Sequence, residues 1–313
     1  MHTTRIGNSQ LISSRMAYGC WRIAGWEGAE CTAERELHGR QAVIAAFESG
    51  FTLFDHADIY SDGMGETIFG KVLKEIPEFR GRAIISSKCG IRRAGKADSH
   101  IPYRYDSSYD HIVHSCEASL ARLGVDVIDI YQLHRPDYLT NPEEVARAFT
   151  TLRQAGKVRE FGLSNARPSF VAMLQKFLPM KLVVNQIEIN LLHLDPFTDG
   201  SIDQCQAEQI TPMAWSPLAG GRLASNNAIE LSDPHHTRRQ KLRDTLDHIA
   251  RERESTRANI ALAFLLRHPA GILPIVGSTN QTTIRELVKA CDLKLSHEDW
   301  YRLLEAACGH RLP

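Results

Sequence analysis

The chain predicts a single closed (β/α)₈ barrel, an α/β fold of the TIM-barrel type, with an N-terminal hairpin before it and an extra helix after it. Short β-rich runs alternate with helix-period segments from about residue 16 to 290, the pattern of a parallel sheet with crossover helices. Eight strands can be counted, which suits a closed barrel better than an open doubly wound sheet. No Pro/Gly/Ser-rich linker interrupts the run, so residues 1–313 read as one barrel domain.

In chain order, Gly7-Asn8 between short apolar stretches makes a hairpin able to plug the barrel's bottom. The strands follow at 16–19, 52–55, 83–87, 128–133, 160–163, 183–187, 211–214 and 273–276. Between the first two, Val43, Ile44 and Phe47 share a helix face that Gly50 ends. Ile68, Phe69, Val72 and Leu73 repeat the pattern after strand two. There Gly63-Met64-Gly65-Glu66-Thr67-Ile68-Phe69-Gly70 misses the dinucleotide fingerprint, its third glycine standing two places late, and reads as a loop into a helix. Ser107-Ser108-Tyr109-Asp110 has capping-box spacing, and Asn141-Pro142-Glu143 supplies a cap and a first-turn proline. Those two helices close at Gly124 and Gly156, and Ser296-His297-Glu298-Asp299 opens the last helix beyond strand eight.

Composition narrows the function. Apolar residues are 43% and charged residues 24%, as in a soluble globular protein. Lys plus Arg number 37 and Asp plus Glu 37, leaving no net field for nucleic acid or an anionic membrane. The basic run 235–243 reads as a solvated helix face balanced by Asp233, Asp244 and Asp247. Seven cysteines without C-x-x-C or zinc-like spacing read as reduced thiols in a cytoplasmic protein, and no metal site is expected. The N-terminus lacks a signal-peptide core, and no apolar run approaches bilayer length.

Chemistry is expected where barrel strands end. Strand two ends in Asp55, with Tyr60 five residues on; the next strands lead into Lys88, His134, Ser164-Asn165, Gln186 and Glu188, Trp215-Ser216, and Gly277-Ser278. Each residue alone has an ordinary structural explanation. Convergence of four titratable groups from adjacent strands on one mouth does not.

The chain resembles the aldo-keto reductases, most closely their bacterial branch of cytoplasmic oxidoreductases without defined substrates. The resemblance is carried in family order by Phe54-Asp55-His56-Ala57-Asp58-Ile59-Tyr60, Ser87-Lys88, Ile130-Tyr131-Gln132-Leu133-His134-Arg135-Pro136-Asp137, Gly162-Leu163-Ser164-Asn165, Asn185-Gln186, Ser216-Pro217-Leu218 and Pro274-Ile275-Val276-Gly277-Ser278. It implies an NADPH-dependent carbonyl reductase with the family tetrad on Asp55, Tyr60, Lys88 and His134. It also implies that Trp215 stacks on the nicotinamide, that Ser164, Asn165 and Gln186 bond its carboxamide, and that Gly19, Cys20 and Trp21 border the ring. Ser216, Leu218, Gly220 and Arg222 would hold the pyrophosphate, and Gly277, Ser278, Asn280, Arg285 and Glu286 the adenosine end. Physical chemistry agrees with the implied reaction: a hydride delivered to a carbonyl carbon leaves an alkoxide that must be protonated as it forms, and Tyr60 is the candidate acid. Lowering a phenol by three pKa units needs about 4 kcal/mol of preferential phenolate stabilisation, and the cation of Lys88 acts in that direction. Asp55 would keep Lys88 charged and aimed, while His134 would hydrogen-bond the carbonyl oxygen.

Two positions depart from the family. The 2′-phosphate Arg aligns on Thr283 and the adenine-contacting Asn on Leu287, so NADH stays open beside NADPH. The expected partner is a small carbonyl compound, and the expected state a monomer or weak homo-oligomer. Loops 89–110 and 218–243, with Trp21 and Trp26 at the rim, are expected to set selectivity. The alternatives are a cofactor-binding sensor or partner subunit with little turnover, and an unrelated barrel using Gly277-Ser278 for a sugar phosphate.

Overall fold

A computed structural model describes residues 1–25, 30–95 and 100–312; Trp26 lies outside them. The hairpin is β1 (Thr3–Arg5) with β2 (Ile12–Ser14). The barrel strands are β3 (Ala17–Gly19), β4 (Leu53–Asp55), β5 (Ile84–Cys89), β8 (Ile128–Leu133), β9 (Val158–Ser164), β10 (Leu182–Glu188), β11 (Thr211–Trp215) and β12 (Leu273–Val276). They close in sequence order, every neighbour parallel and β12 pairing β3. A small antiparallel pair, β6 (Ile91–Arg92) and β7 (Arg104–Tyr105), decorates the loop after β5. The helices are α1 (Ala33–Glu48), α2 (Met64–Glu75), α3 (Pro77–Arg82), α4 (Tyr109–Leu123), α5 (Pro142–Gln154), α6 (Pro168–Phe177), α7 (Ser201–Ala207), α8 (His236–Glu252), α9 (Arg257–Leu266), α10 (Gln281–Leu287) and α11 (His297–Cys308).

Strands alternate their side chains between two faces, and that period sorts the core. Leu53, Ile84 and Ile130 fill the barrel floor with Ala17, Met213 and Leu273, whereas Phe54, Ile85, Tyr131 and Phe161 pack outward under the helices. Continuing the inward parity brings Asp55, Ser86, Lys88 and Gln132 to the upper interior, all buried. Several strands run one or two residues beyond their sequence bounds. Lys88, Ser164 and Trp215 therefore sit on paired strands rather than past their ends.

The hairpin plugs the floor as expected. Ile6 is fully buried against the floor residues, and the Gly7 N–H donates to Thr211 Oγ1 at 2.7 Å. Gly7 has φ +52°, and a Cβ there would stand 2.5 Å from the Val183 carbonyl oxygen, so only glycine fits. The cap of α4 is Ser108, whose hydroxyl accepts from the His111 N–H, while Ser107 is drawn away by Asp137 at 3.0 Å. Asn141 and Ser296 cap α5 and α11 as predicted. The basic run lies on α8 and just before it. There Arg239 pairs with Asp233, and Gln240 Nε2 donates to Asp244 Oδ1 at 2.8 Å. α11 packs its Leu303, Ala306 and Ala307 against Leu242, Leu246 and Ile249 of α8, making a second core beside the barrel.

Candidate active site

A cavity of about 490 Å³ opens at the carboxyl end of the strands, its wall including Gly19, Trp21, Asp55, Tyr60, His134, Ser164, Asn165, Gln186, Trp215, Ser216, Leu218, Gly220, Gly277 and Ser278. Lys88 lies just behind it. Its Nζ, wholly buried, donates to Asp55 Oδ2 at 2.7 Å, to the His56 carbonyl at 2.7 Å and to Tyr60 Oη at 3.3 Å. The Tyr60 and His134 rings meet edge to face at 5.9 Å. The structure thus brings the four predicted titratable groups to one point.

Local backbone explains how. After β4 the chain turns back over the mouth, with Ser61 and Asp62 left-handed at φ 48° and 55° before Gly63 at φ 87° leads into α2. That turn lays Tyr60 over Lys88. The backbone around Lys88 is fixed to the same loop, because the His56 N–H donates to the Ser86 carbonyl and the Asp58 N–H to the Lys88 carbonyl.

Electrostatics corrects one expectation. Burial pushes the Tyr60 phenol above its ordinary value; the Lys88 ammonium pulls it down, Asp55 pushes it up, and the net direction is upward. Tyr60 is a protonated donor held beside a cation, not a phenolate. Burial works against the Lys88 ammonium, but Asp55 and Tyr60 outweigh it and raise its pKa. Burial, with Lys88 and Arg135 nearby, holds His134 well below the usual histidine range, so its ring is neutral near pH 7. Its Nδ1 is buried without a partner, which leaves Nε2 to face the cavity.

Sequence reasoning missed the support for Asp55. Besides Lys88, the carboxylate accepts from Gln186 Nε2 at 2.8 Å and Ser86 Oγ at 3.3 Å, and Gln132 Nε2 donates to Ser86 Oγ at 2.8 Å. Polar residues at inward positions of otherwise aliphatic strands were the available signal.

On the opposite wall Trp215 Nε1 donates to Asn165 Oδ1 at 3.0 Å, and Asn165 Nδ2 to Ser164 Oγ at 2.8 Å. Asn165 and Ser216 are left-handed at φ 55° and 49°, the kind of backbone strain concentrated at ligand sites. Gln186 spends its amide N–H on Asp55, and its Oε1, without a protein partner among the described residues, is left to accept from a ligand. A flat ring against an indole with amide partners fits a nicotinamide carboxamide.

Some expected contacts do not line this cavity. Cys20 is completely buried, its thiol pushed well up by burial. Asn280 caps α10 by accepting from the Thr283 N–H at 2.9 Å. Arg285 reaches Glu48 at 3.5 Å and Glu286 holds Lys289 at 2.7 Å, both turned to the surface. Arg222 donates to the Ala219 carbonyl and lines a neighbouring pocket. Thr283 and Leu287, the two departures, do line the cavity.

A sequence profile described as the Aldo/keto reductase family matches residues 15–307. The chain is 40% identical to the 6-dehydroglucose reductase of Novosphingobium aromaticivorans, over 99% of this chain and 96% of that protein. It is 39% identical to the oxidoreductase YdhF of Escherichia coli, over 96% and 95%. Among solved structures, the thermostable aldo-keto reductase Tm1743 superposes with a TM-score of 0.83 at 26% identity, covering 98% of this chain and all of that one.

Proposed function

Because the chain belongs to the aldo/keto reductase family, among its bacterial NAD(P)H-dependent oxidoreductases, we propose that it reduces aldehydes or ketones to alcohols, with NADPH as donor and Tyr60 as general acid. The observation that carries this reading is the Tyr60 hydroxyl on the cavity wall, 3.3 Å from the buried Lys88 ammonium and beside a neutral His134.

The nicotinamide, when bound, supplies the hydride. Trp215 would provide the face for its ring, and Gln186 Oε1, with Ser164 and Asn165 beside it, would hold its carboxamide. His134 donates through Nε2 to the substrate oxygen and aims the carbonyl carbon. Tyr60 gives its proton as negative charge grows on that oxygen. Lys88 stabilises the phenolate left behind, and Asp55 keeps the ammonium in place. Ser216, Leu218 and Gly220 would receive the pyrophosphate.

NADPH oxidation with a reactive aromatic aldehyde, followed by absorbance, tests the reading. Tyr60→Phe should lower kcat by roughly 100-fold or more, the usual contribution of a positioned acid, while cofactor affinity stays within about twofold. Equal turnover by a folded Tyr60→Phe protein would remove Tyr60 from the role. Titrating Trp215 fluorescence with NADPH and NADH side by side tests the cofactor, since Thr283 stands where the family grips the 2′-phosphate. The name of the Novosphingobium relative makes a hydroxylated aldehyde a substrate to include.

A further inference from the structure

One cation on the cavity wall has no task in the reaction described above. Arg135 directly follows His134, is half-buried, and stands with its guanidinium carbon 5.9 Å from the centre of the Trp215 ring. Among the described residues it has no hydrogen-bond or carboxylate partner, although a guanidinium carries five N–H donors. Its charge reaches the reacting groups, for it is one of the cations that depress His134.

The rest of the wall gives that charge a direction. Its charged side chains, among the described residues, are Arg22, Arg135 and Asp55, and Asp55 is already met by Lys88 at 2.7 Å. The mouth is therefore net positive on the side of His134 and Trp215. The cofactor phosphates are expected elsewhere, at the turn after β11 and at Gly277-Ser278. Cofactor charge does not account for a guanidinium placed next to the residue that orients the substrate carbonyl.

We propose that Arg135 is a substrate-binding residue that recognises a carboxylate, so that the enzyme favours carbonyl compounds carrying one over neutral analogues. The inference rests on the reductase reading and narrows its substrate class. A planar guanidinium binds a carboxylate through two parallel charge-assisted hydrogen bonds. At 5.9 Å from the Trp215 ring centre the guanidinium is within cation–π range of the indole, a contact that uses none of its N–H donors.

Three aldehydes of one shape make the test: 4-carboxybenzaldehyde, benzaldehyde and 4-(hydroxymethyl)benzaldehyde, the last a neutral hydrogen-bonding control. In the wild-type protein with NADPH, kcat/KM for the carboxylated aldehyde should exceed that for each neutral one by about tenfold. In Arg135→Gln that ratio should collapse to about one, and in Arg135→Lys, which keeps the charge but not the fork, most of it should return. A wild-type ratio near one, a hydroxymethyl compound equal to the carboxylate, or an Arg135→Gln ratio equal to wild type each overturns the subsite and leaves the reductase reading standing. No turnover of any of the three overturns the reductase reading, and the subsite falls with it.

Discussion

At the scale of single residues, the site is a set of charges arranged so that each one's neighbour keeps it in the needed form. Lys88 is an ammonium because Asp55 faces it, and Asp55 is held by Gln186 and Ser86 as well. Asp58 is the exception beside this set. Burial, with Glu66 nearby, raises its carboxyl from 3.8 to about 7 against the pull of Arg122, and its Oδ1 is buried without a partner. A folded value above the unfolded one means the folded state holds the proton more tightly. Its contribution to stability is therefore lost as pH rises from the unfolded value through about 7. Asp58→Asn removes that loss, so the variant's stability relative to wild type should be greater at pH 8 than at pH 5, by about 3 kcal/mol. Urea denaturation at the two pH values measures it, and an equal difference at both would refute the assignment. Asp55, Tyr60, Lys88 and His134 were legible in the sequence because each follows or ends a strand in a recognisable motif. The direction of the Tyr60 shift was not, because desolvation depends on how completely the neighbouring walls close over the ring. Arg135 was equally hidden: its lack of a partner is a property of the folded mouth and not of its motif.

Among the secondary-structure elements, the strands were the most legible, and β8 and β12 have the bounds their β-rich runs predict. Where bounds differ, pairing with both neighbours extends a strand past its apolar run, as at β9 and β10. The β6–β7 ribbon could not be read in advance, since a pair of two-residue strands has no periodicity of its own. Element packing is also where glycine is least replaceable. Gly39, on the buried side of α1, lies so close to the chain after β3 that a Cβ would stand 1.9 Å from the Ile23 carbonyl oxygen. Because that oxygen is backbone, a methyl group must move the helix. Gly39→Ala should destabilise the protein by about 3 kcal/mol, despite alanine's better helix propensity, and a thermal-unfolding midpoint at or above wild type would show that α1 can shift freely.

Across the whole molecule, the barrel separates a polar upper layer that does chemistry from an apolar floor that holds the strands together. The hairpin belongs to the floor, and Ile6 is its plug. Ile6→Ala should cost about 3 kcal/mol, as deletion of a fully buried aliphatic side chain does, while leaving KM for the aldehyde unchanged because the mouth is at the other end. Equilibrium denaturation and steady-state kinetics on the same preparation would separate the two effects; a raised KM with normal stability would mean that floor and mouth are coupled.

The ring closure of β12 onto β3 has a further bearing on the fate of a damaged molecule. Every one of the eight ring strands already spends its backbone donors and acceptors on two neighbours, so an intact copy offers the main sheet no margin along which another polypeptide could dock and grow. Clumping of stressed material through this sheet must wait for at least one seam to split, making it a sequel to opening rather than a rival to it. Changes that strengthen the seam between the first and last ring strands should then protect against precipitation even where they add nothing to turnover.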